Sequence, residues 1–239
     1  MQEVSLLELL KSGAHFGHAT SRWNPKMKPY IFASRSGIHI LDLEKTKKGL
    51  LKTMNFAKDI ASKGGTILFV GTKKQTRDIV KAAAIACSMP FVNIRWLGGT
   101  FTNFRTIQKT VRKLEKMEDL KLSGEIERYT KKERLMIDRE IEKLKKLFEG
   151  IKNLKKIPDA VFVTDVKHDA IAIQESKKAK VKTIGVVDTN CSPEGLDCVI
   201  PCNDDAAKAI ALVAAALSEA VNAGRQAIPT PVVKEEAKV

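Results

Sequence analysis

Cations, aromatic rings and prolines alternate along residues 15–30, on a backbone rich in turn-forming residues. The cations can neutralise phosphates, and the rings offer flat faces to an unstacked base or ribose. The prolines restrict φ, which lowers the entropy lost on docking. We predict a nucleic-acid contact surface here, and the alternative is a basic loop whose two large rings pack into the core. The residues concerned are Arg22, Trp23, Asn24, Pro25, Lys26, Lys28, Pro29 and Tyr30.

A second element of similar character lies at residues 95–105. Its arginines can reach phosphates, and its paired glycines let backbone N–H groups approach an anion. Its Thr-Asn pair is suited to cap a following helix, whereas we expect its Trp and its first Phe in the core. The residues concerned are Arg95, Trp96, Gly98, Gly99, Phe101, Thr102, Asn103 and Arg105.

Carboxylates follow the apolar runs that are expected to become strands. At the carboxyl ends of strands in an open α/β sheet they could hold a divalent ion, and a metal-dependent hydrolase is therefore the enzymatic alternative. Asp204 and Asp205 also suit a helix N-terminus as cap and dipole partner, which is the role that we predict. The four carboxylates are Asp165, Asp188, Asp204 and Asp205, and the hydrolase would use the first three.

Histidines and cysteines give two further possible metal sites. His15 and His18 lie in a Gly-rich turn without a carboxylate nearby in sequence, so we predict that they pack or form hydrogen bonds. Cys191, Cys198 and Cys202 are clustered, with His168 as a possible fourth ligand. Their spacing differs from the paired C-x₂-C of structural zinc, so we predict reduced, partly buried thiols. The sequence alone does not decide whether a divalent ion binds near His18 or the carboxylates.

Motifs that bind cofactors or catalyse reactions are missing from the sequence. The stretch from Gly71 to Lys74 is not a phosphate-binding loop, since neither G-x-x-x-x-G-K-[ST] nor G-x-G-x-x-G occurs. A G-x-S-x-G nucleophile elbow is also missing. We therefore predict that the protein is not an enzyme and has no cofactor or metal.

Positive charge is concentrated in the first two thirds of the 239-residue chain, whose formal net charge is +14. Residues 1–156 contain 33 Lys and Arg against 16 Asp and Glu, whereas residues 157–239 contain nine against 12. Residues 102–156 alone contain 17 against 10. This asymmetry indicates a polyanionic partner, with nucleic acid ahead of acidic lipid because a basic amphipathic membrane helix is not evident. The alternative is a solubilising surface charge.

The predicted strands and helices that position these residues are typical of an α/β fold. Apolar runs at residues 66–70, 91–93, 160–163, 183–187 and 199–201 alternate with helical patterns, which indicates a parallel sheet covered on both faces. A short helix at residues 6–12 and a longer one at residues 44–62 precede this pattern. We predict a three-layer α/β/α sandwich.

The region between residues 105 and 157 interrupts the alternation. Apolar residues at spacings of three and four, a Ser-Gly turn at 123–124 and a capping box starting at Thr130 predict an antiparallel coiled-coil hairpin. We expect residues 226–239 to form a mobile tail. The chain lacks an apolar run of about 20 residues and an N-terminal basic-then-apolar signal, so we expect a cytosolic protein.

Several motifs resemble, in the same order, those of the second small-subunit ribosomal protein of bacteria, the S2 family. The resemblance runs from about Leu6 to about Arg225. It implies a flavodoxin-like sandwich with the inserted hairpin, bound to 16S rRNA at the head–body junction of the small subunit and supporting the docking of ribosomal protein S1. The motifs are residues 13–30, Ile67–Lys73, Arg95–Gly99, Thr102–Asn103, Pro158–Ala160, Val187–Asn190, Ile200–Pro201 and Asn203–Asp205.

We predict four parts of the chain: residues 1–104 (basic loop and first half of the sandwich), 105–157 (hairpin), 158–225 (second half of the sandwich) and 226–239 (tail). Expected partners are 16S rRNA and neighbouring small-subunit proteins including S1, without membrane binding or homo-oligomers. A free RNA chaperone is the second alternative. The predicted rRNA contacts are Arg22, Trp23, Asn24, Lys26, Lys28, Arg35, Lys73, Lys74, Arg95, Arg105, Lys109, Arg112, Lys113, Lys131 and Lys132.

Overall fold

The computed structural model describes residues 4–226, and the predicted tail beyond Gln226 lies outside them. A short helix and a small antiparallel sheet come first, and strands then alternate with helices. The helices are α1 (Leu6–Lys11), α2 (Leu43–Ser62), α3 (Arg77–Ala86), α4 (Phe104–Leu122), α5 (Lys131–Phe148), α6 (Ala170–Lys178) and α7 (Ala207–Gln226). The strands are β1 (Phe16–Ala19), β2 (Ile31–Arg35), β3 (Ile38–Leu41), β4 (Ile67–Val70), β5 (Phe91–Val92), β6 (Ala160–Val163), β7 (Lys182–Val187) and β8 (Cys198–Pro201).

The main sheet has five parallel strands in the order β5-β4-β6-β7-β8. Its central strands are apolar on both faces because helices cover both sides, so their residues form continuous runs rather than an alternating pattern. Phe69 of β4 and Phe162 of β6 are paired in register and meet edge to face at 5.4 Å. The strand positions confirm the predicted parallel sheet.

One face of the sheet is covered by α2, α3 and α7. In α7 the apolar residues pack onto α2 and the sheet, and a Cβ at Gly224 would lie 2.4 Å from the carbonyl oxygen of Lys58. Glycine therefore allows the two helices to approach closely. By length and composition α7 could cross a membrane, yet 56% of the relevant window is buried, as expected for a core helix.

The opposite face is covered by α6, by residues 96–101 and by the inner parts of α4 and α5. Val111 and Leu114 of α4 and Ile141 and Phe148 of α5 are buried in the same core as Val161 and Val163 of the sheet. Helices thus cover both faces, which confirms the three-layer sandwich.

The N-terminal region differs from its predicted form. Residues 15–30 were expected to be a loop, but β1 pairs with β3, and β3 pairs with β2, in a three-stranded antiparallel sheet. Ser36 and Gly37 have φ of 51° and 76° and form the tight turn between β2 and β3. The sequence prediction was wrong here because β1 is short and is stabilised by partners distant in sequence, namely β3 and Thr189.

Two helices form the predicted insertion between β5 and β6. Ser123 ends α4, Gly124 adopts φ of 76° in the turn, and Thr130 and Glu133 form the predicted capping box of α5. Ion pairs such as Lys121–Asp138 join the two helices. Coiled-coil geometry remains a prediction, and the inner ends of both helices belong to the core of the sandwich.

Candidate nucleic-acid interface

The basic N-terminal segment is fixed by short 3₁₀ turns at Thr20–Arg22 and Pro25–Tyr30. The Asn24 side chain accepts a hydrogen bond from the Lys26 N–H at 3.0 Å, and the Asn24 N–H donates to the Thr189 carbonyl at 2.7 Å. Met27 is fully buried beneath the turns. Asn24 therefore orients the segment, and its neighbours present their charges outward.

The cations of this segment have different environments. Arg22, Lys28 and Arg35 are exposed, and none of them forms an ion pair within residues 4–226. Lys26 is also exposed, but its ammonium pairs with Glu194. Phosphate would have to compete with Glu194 for Lys26, so the other three cations are the better placed contacts.

The aromatic rings of the segment are less available than predicted. Trp23 is half-buried with its ring 5.1 Å from that of His39, and Tyr30 packs on the cluster around Met27 and Leu41. Both rings anchor the segment. This arrangement is closer to the packed alternative, although part of Trp23 remains accessible.

The glycine-rich segment predicted to bind an anion does bind one, but the anion is a side chain of the protein. Glu175, only 7% exposed on α6, accepts hydrogen bonds from the backbone N–H groups of Gly99 (2.6 Å), Phe101 (2.9 Å) and Thr102 (3.3 Å). These donors are therefore not free for phosphate. Burial raises the pKa of Glu175, but the three N–H donors outweigh it and lower the pKa below its usual 4.5.

The remaining predictions for this segment have mixed outcomes. Trp96 and Phe101 are buried and meet edge to face at 5.0 Å, which confirms their core role. Asn103 occupies the N-cap of α4, but its side chain accepts from the Thr106 hydroxyl rather than from the backbone. The predicted side-chain cap was therefore wrong, because the Asn103 oxygen is bound by Thr106 and the Thr102 hydroxyl donates to Glu175. Arg95 and Arg105 are exposed.

Carboxylates converge at the carboxyl edge of the sheet, as predicted, and they surround Lys73. Its ammonium lies 3.3 Å from Asp165, 3.1 Å from Asp204 and 2.6 Å from Asp205. Burial alone would lower the pKa of Lys73, but these carboxylates raise it overall. The prediction that Lys73 contacts rRNA is not supported by this placement, since its charge is already neutralised inside the protein.

His18 belongs to the same cluster and forms hydrogen bonds there, as predicted, although its carboxylate partners are distant in the sequence. Its Nδ1 lies 3.1 Å from Asp188 and its Nε2 3.5 Å from Asp205. The hydrogen bond to Asp188 raises the pKa of His18. Burial and the nearby charges of Asp165 and Asp188 raise the pKa of Asp204 to about 6.

Two overlapping groups in this cluster have the donor atoms of a cation site. In each group the atoms lie within 4.8 Å of one another; one group is His18, Asp188 and Asp204, and the other is Asp165, Cys191 and Asp204. Carboxylate, imidazole and thiol donors suit a divalent cation. Asp204 and Asp205 were expected to cap the helix that follows them, α7. Their carboxylates instead face Lys73 and His18.

The cysteines are free and buried. Burial raises the pKa of the Cys191 thiol to about 12, so this thiol is neutral at ordinary pH. His168 binds the hydroxyl of Thr72 through Nδ1 at 2.8 Å and does not join the cysteines. Reduced, buried thiols are therefore observed at Cys87, Cys191, Cys198 and Cys202.

The predicted contacts on the hairpin and nearby are accessible. The side chain of Lys113 pairs with Glu140 across the two helices, so it is partly neutralised. The others form no ion pair within the described part of the chain. These exposed residues are Lys74, Arg95, Arg105, Lys109, Arg112, Lys131 and Lys132.

Sequence reasoning missed an exposed apolar groove between α1 and the small sheet. Phe32 is 77% exposed and Leu7 65%, and both line this groove of about 510 Å³ with Leu6 and Leu10. The available signal was the surplus of leucines in α1, which exceeds what one buried face of a six-residue helix requires. Such a groove is typical of a protein-docking surface.

The chain matches the family model described as Ribosomal protein S2. The match covers residues 9–224. It includes the small sheet, the helical insertion and both halves of the sandwich.

Proposed function

The chain belongs to the ribosomal protein S2 family and is thus a structural protein of the small ribosomal subunit that takes part in translation; from this premise we propose that it binds 16S rRNA at the head–body junction. The proposal rests on the distribution of charged side chains in the structure. Acidic groups at the sheet edge are paired inside the protein with Lys73 and His18, whereas Arg22, Lys28 and Arg35 are exposed and unpaired within residues 4–226.

The proposed rRNA contacts are the residues predicted from the sequence, without Lys73 and Asn24. Phosphate binding by exposed Lys and Arg releases counterions and needs neither deep pockets nor base stacking. Lys73 is left out because carboxylates surround it, and Asn24 acts by orienting its neighbours. The proposed contacts are Arg22, Trp23, Lys26, Lys28, Arg35, Lys74, Arg95, Arg105, Lys109, Arg112, Lys113, Lys131 and Lys132.

A role without catalysis agrees with the chemistry of the acidic cluster. A metal-dependent hydrolase would need Asp165, Asp188 and Asp204 directed at one open ion site, and Lys73 already places a positive charge among two of them. We therefore propose a monomeric, cytoplasmic, non-enzymatic protein that works within the subunit and not at a membrane.

The apolar groove beside α1 supplies a surface for a protein partner. We propose that ribosomal protein S1 docks there, because Phe32, Leu7 and Leu10 offer apolar contact area that rRNA phosphates do not require. Replacing Phe32 with Ser would then reduce retention of S1 on purified subunits while the protein itself stays bound. Equal retention of S1 would contradict this assignment.

Cosedimentation tests the rRNA contacts. Small subunits lacking the protein are incubated with wild type or with the R22A/K28A/R35A variant at increasing salt, and sedimented through sucrose. The variant should leave the subunit peak at lower salt than wild type, because three phosphate contacts are lost.

A matched control removes the same charge elsewhere. Lys58 lies on α2, Lys63 directly follows α2 and Lys178 lies on α6; all three are exposed and outside the small sheet, and the K58A/K63A/K178A variant should sediment as wild type does. Equal loss in both variants would mean that only net charge matters. Absence of the wild-type protein from the subunit peak would overturn the proposed function.

A further inference from the structure

A groove of about 680 Å³ lies at the base of the hairpin, between α4 and the chain that returns to the sheet at residues 151–155. Its floor is apolar and its rim is polar. Val111 and Ile151 are buried beneath it, so the floor is part of the folded core. The floor is formed by Phe104, Ile107, Val111, Ile151 and Leu154.

The two walls of the groove are joined by hydrogen bonding and packing. The side-chain amide of Gln108 donates to the Lys155 carbonyl at 2.8 Å, which links α4 to the returning chain. Gly150 packs so closely on Phe91 that a Cβ would lie 2.1 Å from the Phe91 carbonyl oxygen. The groove is therefore preformed.

Charge at the rim favours an anionic ligand. Arg112 and Lys155 are exposed and lack ion pairs within residues 4–226, and Lys152 binds Glu118 instead of pointing freely outward. Glu115 is the opposing charge at the rim. A phosphate would thus lie on the side of Arg112 and Lys155.

A row of cations on α4 passes the groove. Arg105, Lys109, Arg112 and Lys116 follow one another at helical spacings of four, three and four, and all are exposed. With a rise of about 1.5 Å per residue, successive cations are about 4.5–6 Å apart along the helix axis. None forms an ion pair within residues 4–226. Arg112 belongs both to this row and to the groove.

We propose that the groove holds one unstacked nucleotide of an rRNA strand whose backbone follows the cation row of α4. The base lies on the apolar floor beside Phe104 and Ile107, and its phosphate contacts Arg112 and Lys155. This inference rests on the proposed rRNA-binding function. An RNA strand is favoured over an acidic peptide because the row of cations runs alongside the whole length of the groove on α4, from Arg105 to Lys116, as a continuous polyanion requires.

Two kinds of variant test the proposal in subunits reconstituted with the full-length protein. R112A/K155A removes the two phosphate contacts, and I107W fills the groove from a half-buried position. Binding is measured over a salt series, and 16S rRNA bases are probed chemically. The slope of log affinity against log salt should fall by about 1.4 for R112A/K155A, at about 0.7 per single-strand contact.

Base probing gives the readout specific to the groove. Wild type should protect a nucleotide that I107W leaves reactive, with about tenfold or greater loss of affinity. The control K143A/K146A removes two exposed cations from α5 and should keep that protection. Thermal unfolding verifies that I107W is folded; R112A/K155A alters only exposed side chains and remains informative if I107W is not.

The outcomes separate the two proposals. Wild type that fails to bind subunits contradicts the proposed function itself. Wild type that binds, together with groove variants showing the same slope and the same protected bases, overturns the groove assignment alone. Equal loss of slope in the control and in R112A/K155A, without a protected nucleotide specific to wild type, also overturns it.

Discussion

The three hydrogen bonds from the loop before α4 to the Glu175 carboxylate are expected to stabilise the attachment of the hairpin. In the E175Q variant the side chain keeps its shape but loses its charge and one acceptor. Gln can accept from the Phe101 and Thr102 N–H groups with its single oxygen, and its NH₂ then faces the Gly99 N–H. The partly buried Gly99 N–H is left without an acceptor.

The expected loss of stability follows from these contacts. A hydrogen bond to a charged group contributes about 1.5–3 kcal/mol, and a buried unsatisfied donor costs about 1–3 kcal/mol. We expect a decrease of about 3 kcal/mol in the free energy of unfolding. For a protein of this size that corresponds to a fall in Tm of about 6–12 °C.

The pH dependence distinguishes loss of the carboxylate from simple loss of packing. The pKa of Glu175 is lowered on folding, so its stabilisation is fully present above its usual pKa of 4.5 and is lost as the pH falls through the folded value. The Tm difference between wild type and E175Q should therefore be full at pH 7 and shrink below pH 4.5.

Thermal unfolding followed by circular dichroism between pH 7 and pH 3 measures both effects. E219Q changes an exposed glutamate of α7 and should alter the stability by less than about 0.5 kcal/mol. The reasoning is refuted if E175Q unfolds with wild type at pH 7, or if its deficit persists unchanged at pH 3.

Three further predictions concern the rest of the fold. K73A leaves the carboxylates of Asp165, Asp204 and Asp205 facing one another without the Lys73 ammonium. Its Tm deficit should be larger at pH 8 than at pH 5, because Asp204, with a pKa of about 6, is protonated at pH 5. A deficit independent of pH would contradict repulsion between these carboxylates. G224A should destabilise by about 1–3 kcal/mol because its Cβ would overlap the Lys58 backbone, whereas G98A meets nothing within 4 Å and should be nearly neutral; equal denaturation midpoints would argue against close packing of α7 on α2. H18A should lower the Tm more at pH 6 than at pH 9, since the raised pKa of His18 means that its charged pairing with Asp188 is lost as pH rises; a larger effect at pH 9 would refute that pairing.

The sandwich could be predicted because its signals are local. Each strand of the main sheet is a short apolar run, and α1 and α5 begin at capping boxes that the sequence spells out at Ser5 and Thr130. The periodicity of the inserted helices also follows from neighbouring residues. In these places local preference and tertiary structure agree.

The site could be predicted only in part because its partners are distant in sequence. The Glu175 carboxylate meets Gly99 across 76 positions, and His18 meets Asp188 across 170. In α6, Glu175 lies between Gln174 and Ser176 and is followed by two lysines, so its local sequence does not indicate that it is buried. The ion pairs of Lys73 could not be predicted for the same reason, since its carboxylates follow other strands.

The contacts that hold the N-terminal segment have a consequence for the order of events during synthesis. Asn24 and His18 bind Thr189, and the Asn203 N–H donates to the carbonyl of Ala14. The first 40 residues leave the tunnel of the synthesising ribosome long before their supports exist. This surface therefore takes its final shape only after residues 189 and 203 have emerged, when most of the chain has been made.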